Sequence, residues 1–277
     1  MAGDQLVFGN GSDELIALLG AAFAAPRGDR PSAVLYPVPS FVYYKIAALT
    51  HRLEAIEVPL DARFELDEDA VERAITAHRP SVVFLALPNN PTGTLWRMAF
   101  ATELAARHRD VVIVSDEAYH AYCGQTLLPA LADHPNLVVM RTLSKLGMAG
   151  LRVGYTISSP AVAGLLEKVR PPYNVSALDQ RAAELLLERG AAWCAARAAE
   201  VVGERGRLSA ALAARGLEVF PSAANLVLVR TPAAAALWQR LHDAGISVRR
   251  FDGGPLAGCL RITVGTAAET DALLAAL

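Results

Sequence analysis

Leu137-Val138-Val139-Met140, running into Arg141-Thr142-Leu143-Ser144-Lys145-Leu146-Gly147-Met148-Ala149-Gly150-Leu151-Arg152, is the stretch on which the fold turns. The apolar run reads as a strand buried on both faces, the kind that parallel sheets use. The chain then leaves the strand through small residues that carry a serine, a lysine and an arginine, with Lys145 seven positions before Arg152. A lysine in a crowded, glycine-containing turn is poorly solvated, which lowers its pKa and leaves the amine nucleophilic. The neighbouring serine hydroxyl and planar guanidinium suit a phosphate. A nucleophilic amine beside a phosphate clamp is what pyridoxal phosphate requires. A Ser-Lys pair by itself is more often a turn with its charges in solvent, so the rest of the chain decides.

Working outward, polar motifs recur where apolar runs end. Val111 to Ser115 reads as a strand, and Asp116-Glu117-Ala118-Tyr119 follows at its carboxyl end, where open α/β sheets bind ligands. Asp116 there can hold a pyridine nitrogen protonated or cap the next segment, and a Tyr119 phenol can bond a ring oxygen. Ser81 to Leu87 runs into Pro88-Asn89-Asn90-Pro91-Thr92-Gly93, whose prolines restrict the loop so that one asparagine amide can point inward. Ala33 to Tyr36 ends in Pro37-Val38-Pro39-Ser40-Phe41, which presents an aromatic ring. Gln5 to Phe8 ends in Gly9-Asn10-Gly11-Ser12-Asp13-Glu14, a helix start with Ser12 as its expected N-cap and free amides that attract anions. The acidic run Asp61 to Glu72 reads as a solvated loop and helix start without a role.

Pro171-Pro172-Tyr173-Asn174 interrupts this pattern and marks the expected boundary between a larger α/β domain, 1–172, and a smaller α+β domain, 173–277. The second part reads as one long helical stretch, Ala177 to Arg215, then strands near Leu226–Val229, Ile246–Arg249 and Leu260–Val264 with helices between and after them. A chain of 277 residues with 53% hydrophobic content can bury a core of this size. The net charge of −2 gives no basic footprint for nucleic acid. Three scattered cysteines, Cys123, Cys194 and Cys259, argue for a reducing compartment and against a disulfide frame or zinc site. The six histidines lack metal-ligand spacing, so no metal is expected. Leu15 to Ala25 is eleven uncharged residues, too few for a span of about 20, and no basic segment precedes it. A soluble cytoplasmic protein without membrane contact is expected. The absence of a G-x-S-x-G elbow, a Walker loop and a dinucleotide fingerprint removes hydrolase, NTPase and NAD readings.

In this order, the runs G-N-G-S-D-E-L-I at 9–16, Y-P-V-P-S-F at 36–41, L-P-N-N-P-T-G at 87–93, S-D-E-A-Y at 115–119, R-T-L-S-K at 141–145, A-G-L-R at 149–152 and G-C-L-R-I-T-V-G-T at 258–266 resemble the fold-type I pyridoxal-phosphate aminotransferases. The resemblance is nearest to the branch that acts on histidinol phosphate. It implies the fold-type I architecture, with a mostly parallel central sheet flanked by helices and a small C-terminal α+β domain. It also implies pyridoxal 5'-phosphate as cofactor, a ping-pong transamination between histidinol phosphate and 2-oxoglutarate, and a homodimer.

By the same resemblance, Lys145 would bond the cofactor and move the substrate's α-proton, and Asp116 would pair with the ring nitrogen. Tyr119 and Asn90 would bond the ring oxygen. Ser144, Arg152 and the amides around Ser12 and Asp13 would hold the phosphate, and Phe41 would stack on the ring. Arg261 and Arg249 would receive the anionic end of the substrate, with Asn90 beside them. An aromatic amino acid transaminase or a phosphothreonine-type decarboxylase of the same fold is the alternative, as is a non-catalytic aminotransferase-like module or inactive remnant. Family members carry a further segment ahead of the G-N-G-S-D-E motif, with a tyrosine that reaches the partner's cofactor phosphate. This chain begins almost at the motif, so loose cofactor binding and slow turnover are expected of it.

Overall fold

A computed structural model of the chain describes residues 3–26 and 31–277. The elements run β1 (Leu6–Asn10), α1 (Gly11–Ala22), β2 (Ala33–Val38), α2 (Tyr43–Thr50), β3 (Glu54–Pro59), α3 (Glu68–His78), β4 (Val82–Ala86), α4 (Met98–Arg107), β5 (Val112–Asp116), α5 (His120–Cys123), β6 (Leu137–Thr142), β7 (Val153–Ile157) and α6 (Pro160–Val169). They continue through α7 (Ala177–Arg189), α8 (Ala191–Ala214), β8 (Glu218–Val219), β9 (Leu226–Arg230), α9 (Ala234–Asp243), β10 (Arg249–Phe251), β11 (Cys259–Thr263) and α10 (Ala267–Ala275).

Seven strands form the large sheet in the order β1-β7-β6-β5-β4-β2-β3. From β3 to β6 neighbours are parallel; β7 opposes β6, and β1 opposes β7, so every strand except β7 points the same way. Alternation along each strand sends side chains to opposite faces, and here both faces are buried. Val82, Phe84 and Ala86 of β4 pack with α1, α2 and α6, while Val83 and Leu85 pack with α3 and α4. Ser115 and Thr156 are buried within β5 and β7, but β4 is wholly apolar and the site's polar side chains collect at the strand ends.

The second sheet is antiparallel, β10-β11-β9-β8, and α8, α9 and α10 cover one of its faces through Leu208, Leu212, Leu237, Leu241 and Leu273. Its other face meets the large-sheet part through Phe64, which is 1% exposed and packs its ring 4.7 Å from that of Phe220. The Arg230 guanidinium caps both rings, at 5.3 and 4.9 Å, and Trp96 Nε1 donates to the Phe64 carbonyl at 3.0 Å.

Several expectations are corrected here. The acidic run around Phe64 is not without a role: among its acids stands a buried aromatic that packs the two sheets together. Asp61 meanwhile accepts the amides of Arg63 and Glu65, and Asp67 caps α3 by accepting the Ala70 amide at 2.8 Å. Ser12 lies inside α1 rather than capping it; the residue before the helix is Asn10, whose amide donates to Glu14 Oε2 at 2.6 Å. The long helical stretch is two helices broken at Gly190. The strand expected at Ile246–Arg249 begins only at Arg249, and the short β8 had no periodicity to announce it.

Glu117 is the most deeply placed charge in the large-sheet part. It is 0% exposed and accepts from Arg141 Nη2 and Thr126 Oγ1, both at 2.8 Å, and from the Leu127 amide at 2.7 Å. It thereby ties the loop after α5 to the ends of β5 and β6. Removing one partner of such a pair leaves the other charge buried and unpaired. Glu117→Ala should cost about 3–5 kcal/mol of unfolding free energy, read as a lowered denaturation midpoint. Glu184→Ala, which breaks the exposed Arg181–Glu184 pair on α7, should leave the midpoint nearly unchanged.

Candidate active site

The common strand direction brings the carboxyl ends of β1, β2, β4, β5 and β6 to one edge of the large sheet, and a cavity of about 140 Å³ opens there. A space of that size admits one aromatic ring. Ser12 and Asp13 come from the start of α1, Phe41 from the loop after β2, Asn90 from the loop after β4, and Asp116 from the last position of β5. Tyr119 follows β5, Ser144 and Lys145 sit on the 3-10 turn Leu143–Leu146 after β6, and Arg152 stands just before β7. These nine residues line one cavity, together with Tyr44, Ala86, Pro88, Ala118 and Thr142.

Each is held by local chemistry. Thr142 caps the 3-10 turn, accepting the Ser144 amide at 3.2 Å and donating to Ser144 Oγ at 3.0 Å, so the hydroxyl beside Lys145 is fixed in place. Tyr122 donates its hydroxyl to the Lys145 carbonyl. Asn89 and Asn90 divide the work of their loop. The fully buried Asn89 accepts from Ser40 Oγ at 2.7 Å and donates to the Pro39 carbonyl and Thr92 Oγ1, locking the loops after β2 and β4 together. Asn90 lines the cavity and accepts from Arg261 Nη1 at 2.7 Å. Arg261 therefore reaches the site from β11 through Asn90.

Arg249 lies opposite Arg261 in the β10–β11 pairing and so shares its face of the small sheet. It is exposed, leans on Phe251 and does not line the cavity.

Two charges in the cavity are displaced from their ordinary behaviour. Burial pushes the Asp116 carboxyl up to about 6, against hydrogen bonds from the Tyr44 hydroxyl (2.6 Å) and the Ala118 amide (3.1 Å) and the nearby Lys145 cation. Burial, and after it the Arg261 guanidinium, holds the Lys145 ammonium below the usual lysine range, although Asp116 and Asp13 pull the other way. The Lys145 Nζ stands 5.6 Å above the Tyr119 ring, whose phenol burial pushes up to about 12.

The far end of the cavity is built for an anion. The guanidinium of Arg152, which adopts a left-handed φ of 51°, lies across the start of α1. Its Nη2 donates to Asp13 Oδ2 at 3.1 Å and to the Asn10 carbonyl at 3.2 Å. This approach needs a glycine at 11: φ there is +78°, and a Cβ would stand 2.8 Å from the guanidinium carbon. Gly154 of β7 is needed likewise, because its Cβ would meet the Ser12 amide nitrogen at 2.8 Å and push α1 off the sheet. A cation, a hydroxyl and free helix-start amides thus converge where a side chain would otherwise stand. Pyridoxal phosphate fits this donor set, with the acid at one end, the anion cradle at the other and the amine between them.

The comparisons agree. The family model for aminotransferase class I and II matches residues 2–277. The chain belongs to that family. It is 46% identical over 279 residues to a protein of Burkholderia lata named histidinol-phosphate aminotransferase 1, covering 100% of this chain and 77% of that one. Against the histidinol-phosphate aminotransferase of Methylibium petroleiphilum it is 44% identical over 280 residues, covering 99% of this chain and 74% of the other. The crystal structure of the Sinorhizobium meliloti histidinol-phosphate aminotransferase in complex with pyridoxal-5'-phosphate superposes with a TM-score of 0.89 at 28% identity, covering 99% of this chain and 76% of that one. Among the described residues no helix is long and apolar enough to cross a membrane.

The Asp116 shift has a testable sign. The folded-state value lies above the ordinary carboxylate value, so protonation favours the folded chain. The folded cofactor-free protein should lose about 3 kcal/mol as pH rises from about 4 through 6, the product of some two pH units and 1.36 kcal/mol each. Asp116→Asn lacks this titration, so the stability difference between parent and variant, followed by urea unfolding, should grow in the variant's favour across that window.

Proposed function

We propose that the chain is a pyridoxal-phosphate-dependent transaminase that moves an amino group from histidinol phosphate to 2-oxoglutarate. The observation that carries this reading is the single cavity in which a lysine with a depressed pKa, a buried carboxylate and an anion cradle face one another. The names of the relatives at 44–46% identity favour histidinol phosphate as donor.

When bound, pyridoxal phosphate supplies a carbonyl carbon that takes up an amine and a protonated ring that accepts electron density from the substrate's α-carbon. Lys145 is suited to hold it, because burial lowers its ammonium below the usual lysine range and so favours the uncharged, nucleophilic amine. The same amine, once free, would take the proton from the α-carbon and return it, a general-base role that a lowered pKa favours. Asp116, as an anion, keeps the ring nitrogen protonated. Tyr119, with its proton retained to about 12, would donate to the ring oxygen, and the Asn90 amide, oriented by Arg261, would donate beside it. Phe41, which lines the cavity, would lie against the ring. The backbone amides of Ser12 and Asp13 and the Ser144 hydroxyl would donate to the phosphate, and Arg152 would supply the charge.

Arg261, which donates to Asn90 beside the cavity, would take the donor's phosphate and the acceptor's carboxylate in turn. Arg249, its neighbour across the strand pair, would add positive charge on the same face of the small sheet.

The same reading divides the chain into a cofactor-binding unit, 1–172, and a smaller unit, 173–277, which accords with one sheet in each. Ala183 of α7 still packs with Leu143 and Val153 of the large-sheet part. A homodimer in the cytoplasm completes the reading. Its support is the exposed apolar stripe Val42, Ile46 and Leu49 along α2, a surface suited to a second copy.

The test is a donor panel read by cofactor absorbance in single turnovers. Histidinol phosphate should convert the cofactor faster than phenylalanine, tyrosine or phosphothreonine; a faster aromatic donor, or loss of carbon dioxide from phosphothreonine, would contradict the assignment. Arg261→Ala should lower kcat/KM for donor and acceptor alike by about a hundredfold, since it strands a substrate anion without its partner. It should also move the acid limb of the pH profile upward, because Lys145 loses a cationic neighbour that holds its pKa down.

A further inference from the structure

Tyr44 lines the cavity, yet no motif pointed to it and the mechanism above leaves it unused. We propose that Tyr44 is a positioning residue for Asp116, its hydroxyl holding the carboxylate as an anion in one fixed orientation at the ring-nitrogen end of the cavity. The proposal rests on the cofactor reading for what that anion does, and on geometry for how it is kept.

The ring of Tyr44 cannot swing away. It is 0% exposed, stacks on Phe84 at 4.7 Å and 11°, and receives the edge of Phe41 at 5.8 Å and 90°. That cage comes from β4 and from the loop ahead of α2, so the phenol is delivered by the same core that buries the sheet. Its hydroxyl donates to Asp116 Oδ2 at 2.6 Å, while the Ala118 amide donates to Oδ1 at 3.1 Å. With both oxygens tethered from opposite sides, the carboxylate plane is set.

The direction of donation is also set. Burial, and then the Asp116 charge, hold the Tyr44 phenol well above its ordinary value, so it keeps its proton and acts as a donor whenever Asp116 is ionised. The other groups facing Asp116 are Lys145 after β6, which favours the anion, and Asp13 on α1, which opposes it; Tyr119 stands beside them. Against burial, Tyr44 is the strongest of the influences that favour the anion. A carboxyl at about 6 is largely ionised at neutral pH, but only narrowly. Loss of the Tyr44 hydrogen bond removes the foremost influence that favours the anion and pushes the carboxyl higher, toward the neutral form that cannot hold the ring nitrogen protonated.

Tyr44→Phe removes one oxygen and keeps the stacked ring, so the fold is spared. In the cofactor-free chain labelled with carboxyl-¹³C aspartate, the infrared band of Asp116, assigned by its loss in Asp116→Asn, should titrate about 1–2 pH units higher in Tyr44→Phe. In the holoenzyme, the acid limb of kcat should rise in pH with KM little changed. In the Asp116→Asn background the same substitution should add nothing, because its effect acts only through the carboxylate. An unmoved carboxyl titration, or an equal loss of activity in the Asp116→Asn background, would overturn the proposal and reduce Tyr44 to a core residue. Either result leaves the cofactor reading intact, since that reading stands or falls on where the cofactor attaches.

Discussion

Alternate residues of β4, β5 and β6 drive into opposite apolar clusters, so both faces of these strands are largely apolar and the chain's charged side chains gather where the strands end. Because every strand but β7 points the same way, those ends share one edge. The helix start after β1, the asparagine loop after β4, the acid closing β5 and the lysine turn after β6 are therefore brought together by topology before any side chain interacts with another. Burial on both faces is what makes the site rigid. It is also what makes its charges costly, and the depressed lysine and raised carboxyl follow from that cost.

Cost is offset differently at the two kinds of buried acid. Glu117 is closed off by Arg141, Thr126 and the Leu127 amide and serves only to tie a loop to the sheet. Asp116, one residue earlier, has no arginine partner among the described residues; it is steadied by a phenol, an amide and a more distant lysine. A carboxylate that lacks a full counter-charge is available to a cationic ring, whereas a saturated one is not. The adjacent pair Asp116-Glu117 thus separates into a ligand-facing acid and a structural acid through what each can reach.

The sequence made the architecture legible wherever burial was complete, because short β-branched apolar runs that stop at a turn, such as Val82 to Leu87 before Pro88, read as central strands. It also exposed the cavity wherever polar residues followed those runs directly: Lys145, Asp116, Tyr119, Asn90, Phe41, Ser144, Ser12, Asp13 and Arg152 all line it. What it hid depends on contacts between distant segments. Tyr44 sits 72 positions from its partner Asp116, inside a helix whose pattern reads simply as core. Phe64 lies among acids and adopts a positive φ of 64°, and only the docking of the small sheet gives it a partner. Arg249 shows the converse, since its charge was visible but its exposure was not; β10 begins three residues later than the apolar pattern implied.

The central claim is that Lys145 is the residue that carries the cofactor, and the chain offers a clean discrimination because it holds only three lysines, Lys45, Lys145 and Lys168. Lys45 is exposed and paired with Glu57 at 3.0 Å, and Lys168 lies on the exposed side of α6, so neither shares the surroundings that make Lys145 nucleophilic. The direct measurement is to load the full chain with pyridoxal phosphate, reduce it with borohydride and map the modified peptide. The account predicts one adduct, on Lys145, absent from Lys145→Ala under the same conditions. An adduct on Lys45 or Lys168 at comparable yield, or none on Lys145, would contradict it.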